Sequence, residues 1–200
     1  MTGTQRIDDA LLRACLTLRI VANMTVGYNN FDAAARDAHG VVGSHTPDVL
    51  TETTADVGFA LLLAAARRVT ESEHLLRAKR WTRWSYDLFA SAEVHGTTLG
   101  ILGMGRIGQA IARRGAHGFG MRVLYHNRTR LDAAIEADCH TAYVSKAERL
   151  RQADRLVLVL PYTPQNHPII GSWGPSPAAA PSCHTRRRII TSSEPRSWHR

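Results

Sequence analysis

The amino-acid sequence predicts an α/β protein organised around a parallel sheet, and three observations carry the prediction. Leu99–Leu102 is a short apolar run with the length and composition of a buried parallel strand. Gly103, Gly105 and Gly108 follow at the spacing G-x-G-x-x-G and open a helical pattern with Ile107, Ala110, Ile111 and Ala112 on its apolar side. Beyond the glycine-rich Gly115–Gly120, a second strand-like run occupies Arg122–His126. Strand, glycine turn, helix and strand in this order make the first half of a doubly wound, Rossmann-type sheet.

The glycine spacing has a physical reading. Gly103 allows the tight turn off the strand, Gly105 lets the backbone approach a pyrophosphate, and Gly108 lets the helix pack closely on the strand. Free N–H groups and the positive end of the helix dipole then face the phosphates. The alternative is a glycine turn that serves packing alone.

The end of the second strand bears on the choice of dinucleotide. An NAD site places Asp or Glu about 20 residues on, to hold the ribose 2′-OH. Here Asn127 stands nineteen positions after Gly108, and Arg128 and Arg130 follow. No carboxylate repels a 2′-phosphate at this point, and two guanidiniums are available to pair with one. The sequence therefore favours NADP over NAD, the alternative being that these arginines are solvated loop charges.

The other elements follow in chain order. Ile7–Leu16 reads as a helix, Leu18–Met24 as a buried strand, and Thr25–Asp32 as a loop rich in turn formers. Ala33–His39 is a short helix closed by Gly40, and Val41–Ser44 a brief strand. A long helix begins near Thr51, with Asp48 or Thr51 as its cap. It is apolar nearly all round (Val57, Phe59, Leu61, Leu62, Leu63), so it must be buried. Either a helix–helix interface or this chain's own two halves could cover it. Glu71–Arg83 continues helically with an exposed, charged character and leads to Trp81 and Trp84. After Arg122–His126 come a helix at Leu131–Ala137, a strand at Ala142–Val144, a helix at Lys146–Ala153 and a strand at Arg155–Leu160 stopped by Pro161.

Composition narrows the function classes. With 200 residues and 44% hydrophobic content, the chain suits one ordinary globular domain or two small ones. No apolar run reaches membrane-span length, and the N-terminus lacks the pattern of a signal peptide. Cys15, Cys139 and Cys183 are too scattered for a disulfide framework or a metal cluster, so a cytoplasmic protein without metal is expected. Half of the +8 net charge sits in residues 172–200, and no basic helix face interleaved with aromatics accompanies it. Nucleic-acid binding is therefore not expected. The same 29 residues hold four of the eight prolines and no periodicity, so they read as disordered or frameshifted.

Four segments together resemble one family: VANMTVGYNNFD at 21–32, HTPDVLTETTADVGFALLLAAARR at 45–68, HGTTLGILGMGRIGQAIARR at 95–114 and LVLVLPYTPQNH at 156–167. The chain resembles the D-isomer-specific 2-hydroxyacid dehydrogenases, in particular the NADP-linked glyoxylate/hydroxypyruvate reductases. The resemblance covers about Leu11 to Gly171 and implies a domain organisation. It gives part of a substrate domain at 1–46, then a hinge, long dimerisation-type helix and arm at 47–94. The first half of the nucleotide domain occupies 95–171, before the tail at 172–200.

The resemblance also implies residue functions. Val26 and Gly27 fall in the loop whose amides hold the substrate carboxylate. Gly103, Gly105, Arg106, Ile107 and Gly108 surround the pyrophosphate. Arg128 and Arg130 fall where the NADP-using members read the 2′-phosphate, next to the cofactor-binding candidate Asn127, and Pro161 and Thr163 line the nucleotide. The implied partners are NADP(H), a small 2-keto or 2-hydroxy acid and a second copy of the chain. The family's catalytic Arg, carboxylate and His lie beyond the strand ending at Pro161 and have no matching context here. No catalytic residue is assigned, the chain looks truncated at both ends, and it is expected to be inactive alone. The alternative is a non-catalytic dinucleotide-binding or dimerising fragment.

Overall fold

In a computed structural model of the chain, which describes residues 5–161 and 188–191, the sheet expected around Leu99–Leu102 has five strands, all parallel. The chain forms two compact units, Met1–Thr51 and Glu52–Arg200. In the first, α1 (Asp9–Ala14) precedes β1 (Ile20–Ala22), α2 (Ala33–Ala38) and β2 (Val42–Ser44). β1 and β2 pair in parallel, Ile20 opposite Val42, so β1, α2 and β2 make one crossover unit. Its core is Ile7, Leu12, Val21, Ala35 and Val41, with Leu11, Leu18 and Phe31 packed against it.

Two expectations about this unit are corrected. Ile7 is not helical: it bridges to Phe31 and is fully buried, while Asp8 caps α1 by accepting from the Leu11 N–H at 3.1 Å. Asp is a strong N-cap, so the helix starts directly after it. The strand at Leu18–Met24 is not buried throughout. Val21 faces the core whereas Ile20 and Val42, opposite each other, are exposed, because helices cover one face of this two-stranded sheet.

The second unit begins with α3 (Thr51–Arg67), which turns at Arg68 into α4 (Val69–Arg77). Arg68 adopts a left-handed backbone (φ 55°), and its side chain lies over the Phe89 ring and pairs with Glu71. The helical continuation expected to Arg83 stops at Arg77, followed by a second left-handed residue at Lys79. Then come β3 (Thr98–Leu102), α5 (Arg106–Arg113), a π-helical turn at Arg114–Gly118 and β4 (Arg122–His126). They are followed by α6 (Ala133–Asp138), β5 (Thr141–Tyr143), α7 (Lys146–Gln152) and β6 (Arg155–Leu158). The stretch 172–200 lies outside the described residues except for Arg188–Thr191. There β7 pairs in parallel with β6 along the β-branched pair Ile189-Ile190, so these four residues are a strand instead.

The spatial order β5-β4-β3-β6-β7 makes this a Rossmann-type α/β sheet. Its direction of winding reverses between β3 and β6, the first strand of this sheet and its neighbour across the chain crossover. In such sheets ligands bind outside the carboxyl ends of the strands at the reversal.

α3 is not buried all round. Ala55, Gly58, Phe59, Leu62 and Ala66 recur at helical spacing on one face and join the core formed by Leu99, Ile101, Ile111 and Val123. Gly58 lets the helix approach closely: a Cβ there would lie 3.0 Å from Ile111 Cδ1. Phe59 meets Phe119 with ring centroids 4.8 Å apart. Arg114, on the π-helical turn, pairs with Glu52 at 2.8 Å and Asp56 at 2.5 Å in the first turns of α3. Val57 and Leu61, on the other face, are exposed. The rest of the second unit covers one face of this helix, so the expectation that it is buried all round does not hold.

The burial of the core-facing side of α3 sets an expected outcome, with the exposed start of α4 as the contrast. Leu62, with 0% exposure, loses about 2–5 kcal/mol of stability on Leu62→Ala, the usual cost of a cavity in a core. Val69→Ala, at a residue 50% exposed, stays within about 0.5 kcal/mol. Urea denaturation of the two variants checks the difference, and equal losses would contradict the burial of the Leu62 face.

Candidate dinucleotide site

The carboxyl ends of β3, β4 and β6 bring the expected cofactor residues together. Gly103 follows β3, Asn127 follows β4, and Pro161, which is exposed, lies three residues beyond β6. Thr163 lies outside the described residues. The Gly103 N–H donates to the His126 carbonyl at 3.2 Å, and the Val159 N–H donates to the Leu102 carbonyl at 2.8 Å. The three strand ends are thus joined by backbone bonds at the glycine turn.

The turn has no room for side chains. Gly103 has a φ of 94°, and a Cβ on it would lie 2.0 Å from the Val159 carbonyl oxygen. A Cβ on Gly108 would lie 2.3 Å from the Gly103 carbonyl oxygen. Over Gly105, by contrast, a Cβ would meet nothing within 4 Å. Gly105 is also the N-cap of α5 and supplies no side-chain acceptor. Among the described residues, the N–H groups of Gly105 and Ile107 have no acceptor. An uncapped helix start under open space fits a pyrophosphate by both its donors and its dipole. Arg106 is exposed at this point, whereas the Ile107 side chain packs partly against the core.

Asn127 does more than mark the end of β4. Its Oδ1 accepts from the Met104 N–H at 2.7 Å, tying the glycine turn to the second strand. Because Met104 offers a donor, this bond fixes the amide orientation and leaves Nδ2 as a donor without a partner among the described residues. An Asp here would offer an acceptor to a ribose hydroxyl, whereas Asn127 offers N–H groups, which suit phosphate oxygens.

The two arginines differ in surroundings. Arg128 is exposed and has no ion pair or hydrogen bond among the described residues. Arg130 forms two parallel bonds to Glu136, at 2.9 and 2.7 Å. Glu136, whose side chain is 11% exposed, also accepts from the Tyr125 hydroxyl at 2.7 Å. The Arg130 and Tyr125 hydrogen bonds hold the Glu136 carboxyl down at about 2. Burial, reinforced by the bond to Glu136, pushes the Tyr125 hydroxyl up to about 12. Tyr125 and Glu136 carry no pattern that sequence reasoning could use, since their link spans a strand end, a loop and a helix.

In the first unit, Val26 and Gly27 sit in a loop whose carbonyls are held by neighbouring side chains. His45 Nδ1 donates to the Val26 carbonyl at 3.0 Å, and Thr25 Oγ1 donates to the Gly27 carbonyl at 2.6 Å. The buried Asn23 amide reaches Thr25 Oγ1, the Gly27 carbonyl and Asn30 Oδ1 at 2.8, 3.2 and 3.1 Å. With the carbonyls occupied, the N–H groups of Val26 and Gly27 have no acceptor among the described residues. Two such amides in sequence suit an anion.

Comparison with known proteins agrees with this geometry. Residues 59–173 match the D-isomer specific 2-hydroxyacid dehydrogenase, NAD binding domain. A glyoxylate reductase from Thermococcus kodakarensis is 44% identical over 171 residues, covering 84% of this chain and 51% of that protein. The crystal structure of the TT0316 protein from Thermus thermophilus superposes with a TM-score of 0.78 at 40% identity, covering 84% of this chain and 52% of that one. A D-lactate dehydrogenase from Aquifex aeolicus, crystallised with NAD and lactic acid, gives a TM-score of 0.73 at 26% identity, covering 84% and 49%. The chain spans about half the length of the curated relatives it matches. No helix among the described residues is long and apolar enough to cross a membrane. A sheet wound in this order, a glycine turn without side-chain space and a match across more than half its length place this chain in the D-isomer specific 2-hydroxyacid dehydrogenase family.

Proposed function

We propose that the chain is the dinucleotide-holding part of an NADP-dependent reductase of small 2-keto acids of the glyoxylate and hydroxypyruvate type. The observation that carries the reading is Asn127, whose carbonyl is engaged by the Met104 N–H so that its amide N–H groups are left to donate, with the exposed Arg128 guanidinium next in sequence. NADPH, when bound, supplies the hydride for reduction of the keto group. The N–H groups of Gly105 and Ile107 hold its pyrophosphate, and Asn127 and Arg128 hold its 2′-phosphate. Pro161 and Thr163 line the nucleotide. The amides of Val26 and Gly27 take the carboxylate of the keto acid.

Fluorescence titration of the purified chain with NADPH and NADH tests the reading. NADPH binds more tightly, and Arg128→Ala lowers its affinity by about tenfold or more, the value of a charge-assisted hydrogen bond, while sparing NADH. Equal loss for both dinucleotides would show that Arg128 does not read the 2′-phosphate.

The chain is proposed to lack enzyme-like turnover by itself. Hydride transfer to a keto acid builds negative charge on the carbonyl oxygen, which needs a fixed cation and a proton donor. No described residue is assigned either function. NADPH oxidation with glyoxylate or hydroxypyruvate is expected to stay far below about one turnover per second, the low end for ordinary enzymes. A rate near that value would overturn the assignment.

A homodimer is proposed as the working assembly. The face of α3 carrying Val57 and Leu61 is exposed, as are Leu76, Trp81, Trp84 and Tyr86 around an apolar groove after α4. Exposed apolar surface of this kind marks an interface. Sedimentation is expected to show a dimer, and Leu61→Glu to give a monomer that still binds NADPH. A wild-type monomer at high concentration would sink the proposal.

A further inference from the structure

Arg128 and Arg130 stand two residues apart with the same chemistry, yet the fold treats them differently. Arg130 is gripped by both oxygens of Glu136, a largely buried carboxylate on α6. That carboxylate also holds the hydroxyl of Tyr125, a fully buried residue of β4. The same hydroxyl accepts from the Leu131 N–H at 2.9 Å. One buried oxygen therefore ends the segment 127–131 at its far side. At the near side, Asn127 is held through its side chain to the Met104 N–H, and its carbonyl accepts from the Tyr143 hydroxyl at 3.3 Å. Tyr143 in turn packs edge-on against Tyr125, with centroids 5.3 Å apart.

We propose that the two arginines divide the work: Arg130, Glu136 and Tyr125 form an anchor that fixes the segment 127–131, and Arg128 alone is presented to the 2′-phosphate of the dinucleotide. The inference rests on the NADP reading above and assigns Tyr125, Arg130 and Glu136 as positioning residues. Its physical basis is competition. A phosphate that drew Arg130 to itself would break two charge-assisted bonds and leave Glu136 without its cation. Arg128 has no such tie and can pair with phosphate without breaking anything. The anchor also limits the entropy lost when Arg128 binds, because the backbone on both sides of it is already held.

The test uses the full chain and four variants: Tyr125→Phe, Glu136→Gln, Arg130→Ala and Arg128→Ala. Two readouts are taken: the ratio of NADPH to NADH affinity in every protein, and the rate of tryptic cleavage after Arg128, without dinucleotide, in those that keep Arg128. Tyr125→Phe is expected to lower the affinity ratio by about two- to tenfold, the worth of a neutral hydrogen bond, although its ring touches no phosphate. It is also expected to speed cleavage after Arg128 several-fold. Combined with Arg128→Ala, it should lower the ratio no further than Arg128→Ala does alone, since residues acting in series are not additive.

Glu136→Gln, which keeps the side chain's shape, is expected to give the same two shifts and serves if Tyr125→Phe proves too unstable to purify. Unchanged cleavage in both variants would overturn the anchor. Arg130→Ala lowering the ratio as far as Arg128→Ala, with Tyr125→Phe inert, would show that Arg130 reads the phosphate itself. A wild-type protein with no preference for NADPH would overturn the NADP reading and the division of labour with it. Faster cleavage would then identify the anchor as a device of the loop alone.

Discussion

The site depends on how closely three stretches of backbone meet at the carboxyl end of the sheet. Gly103, Gly108 and the Val159 carbonyl lie so near each other that a single methyl group on either glycine would overlap a backbone oxygen. That contact sets the entry of α5, and so where its uncapped N–H groups point. It also puts the end of β6 beside the turn, which defines one wall of the reversal point between β3 and β6. Hydrophobic burial stabilises the sheet, but the position of these donors follows from this steric constraint rather than from the core.

Much of the second unit was legible in the sequence because its signals are local. The apolar run at Leu99–Leu102, the glycine spacing and the apolar run from Arg155 each specify an element within a few residues. The failures have equally physical causes. α3 looked apolar on every side, yet one face at 55, 58, 59, 62 and 66 carries its burial, because a helix against a sheet-bearing core needs one stripe. Ile7 looked like a helical residue, but Asp8 behind it is the better cap. The strand at Leu18–Met24 was apolar enough to be buried on both faces, and only the number of covering layers, which no local pattern encodes, left Ile20 exposed.

The candidate site divides in the same way. Of the backbone-determined parts, the glycine turn is legible from residue type and spacing, whereas Val26 and Gly27 enter only through the family resemblance. Side-chain-determined parts are not legible. That Asn127 bonds Met104, and that Arg130 is held by Glu136, depends on loops meeting in three dimensions. Arg128 and Arg130 were equivalent in one dimension, and the carboxylate on α6 makes them unequal.

The bond between Asn127 and Met104 has a consequence for how such a protein can diverge. Its acceptor is a side-chain carbonyl oxygen, which an aspartate would supply equally well in the same place. An amide-to-acid exchange at this position keeps the bond that closes the glycine turn and alters only the second side-chain atom, from donor to acceptor. On the reading proposed above, the atom that serves folding and the atom that faces the ligand are thus different ones. The chemistry presented at the end of β4 can then change at this position while the glycine turn stays closed.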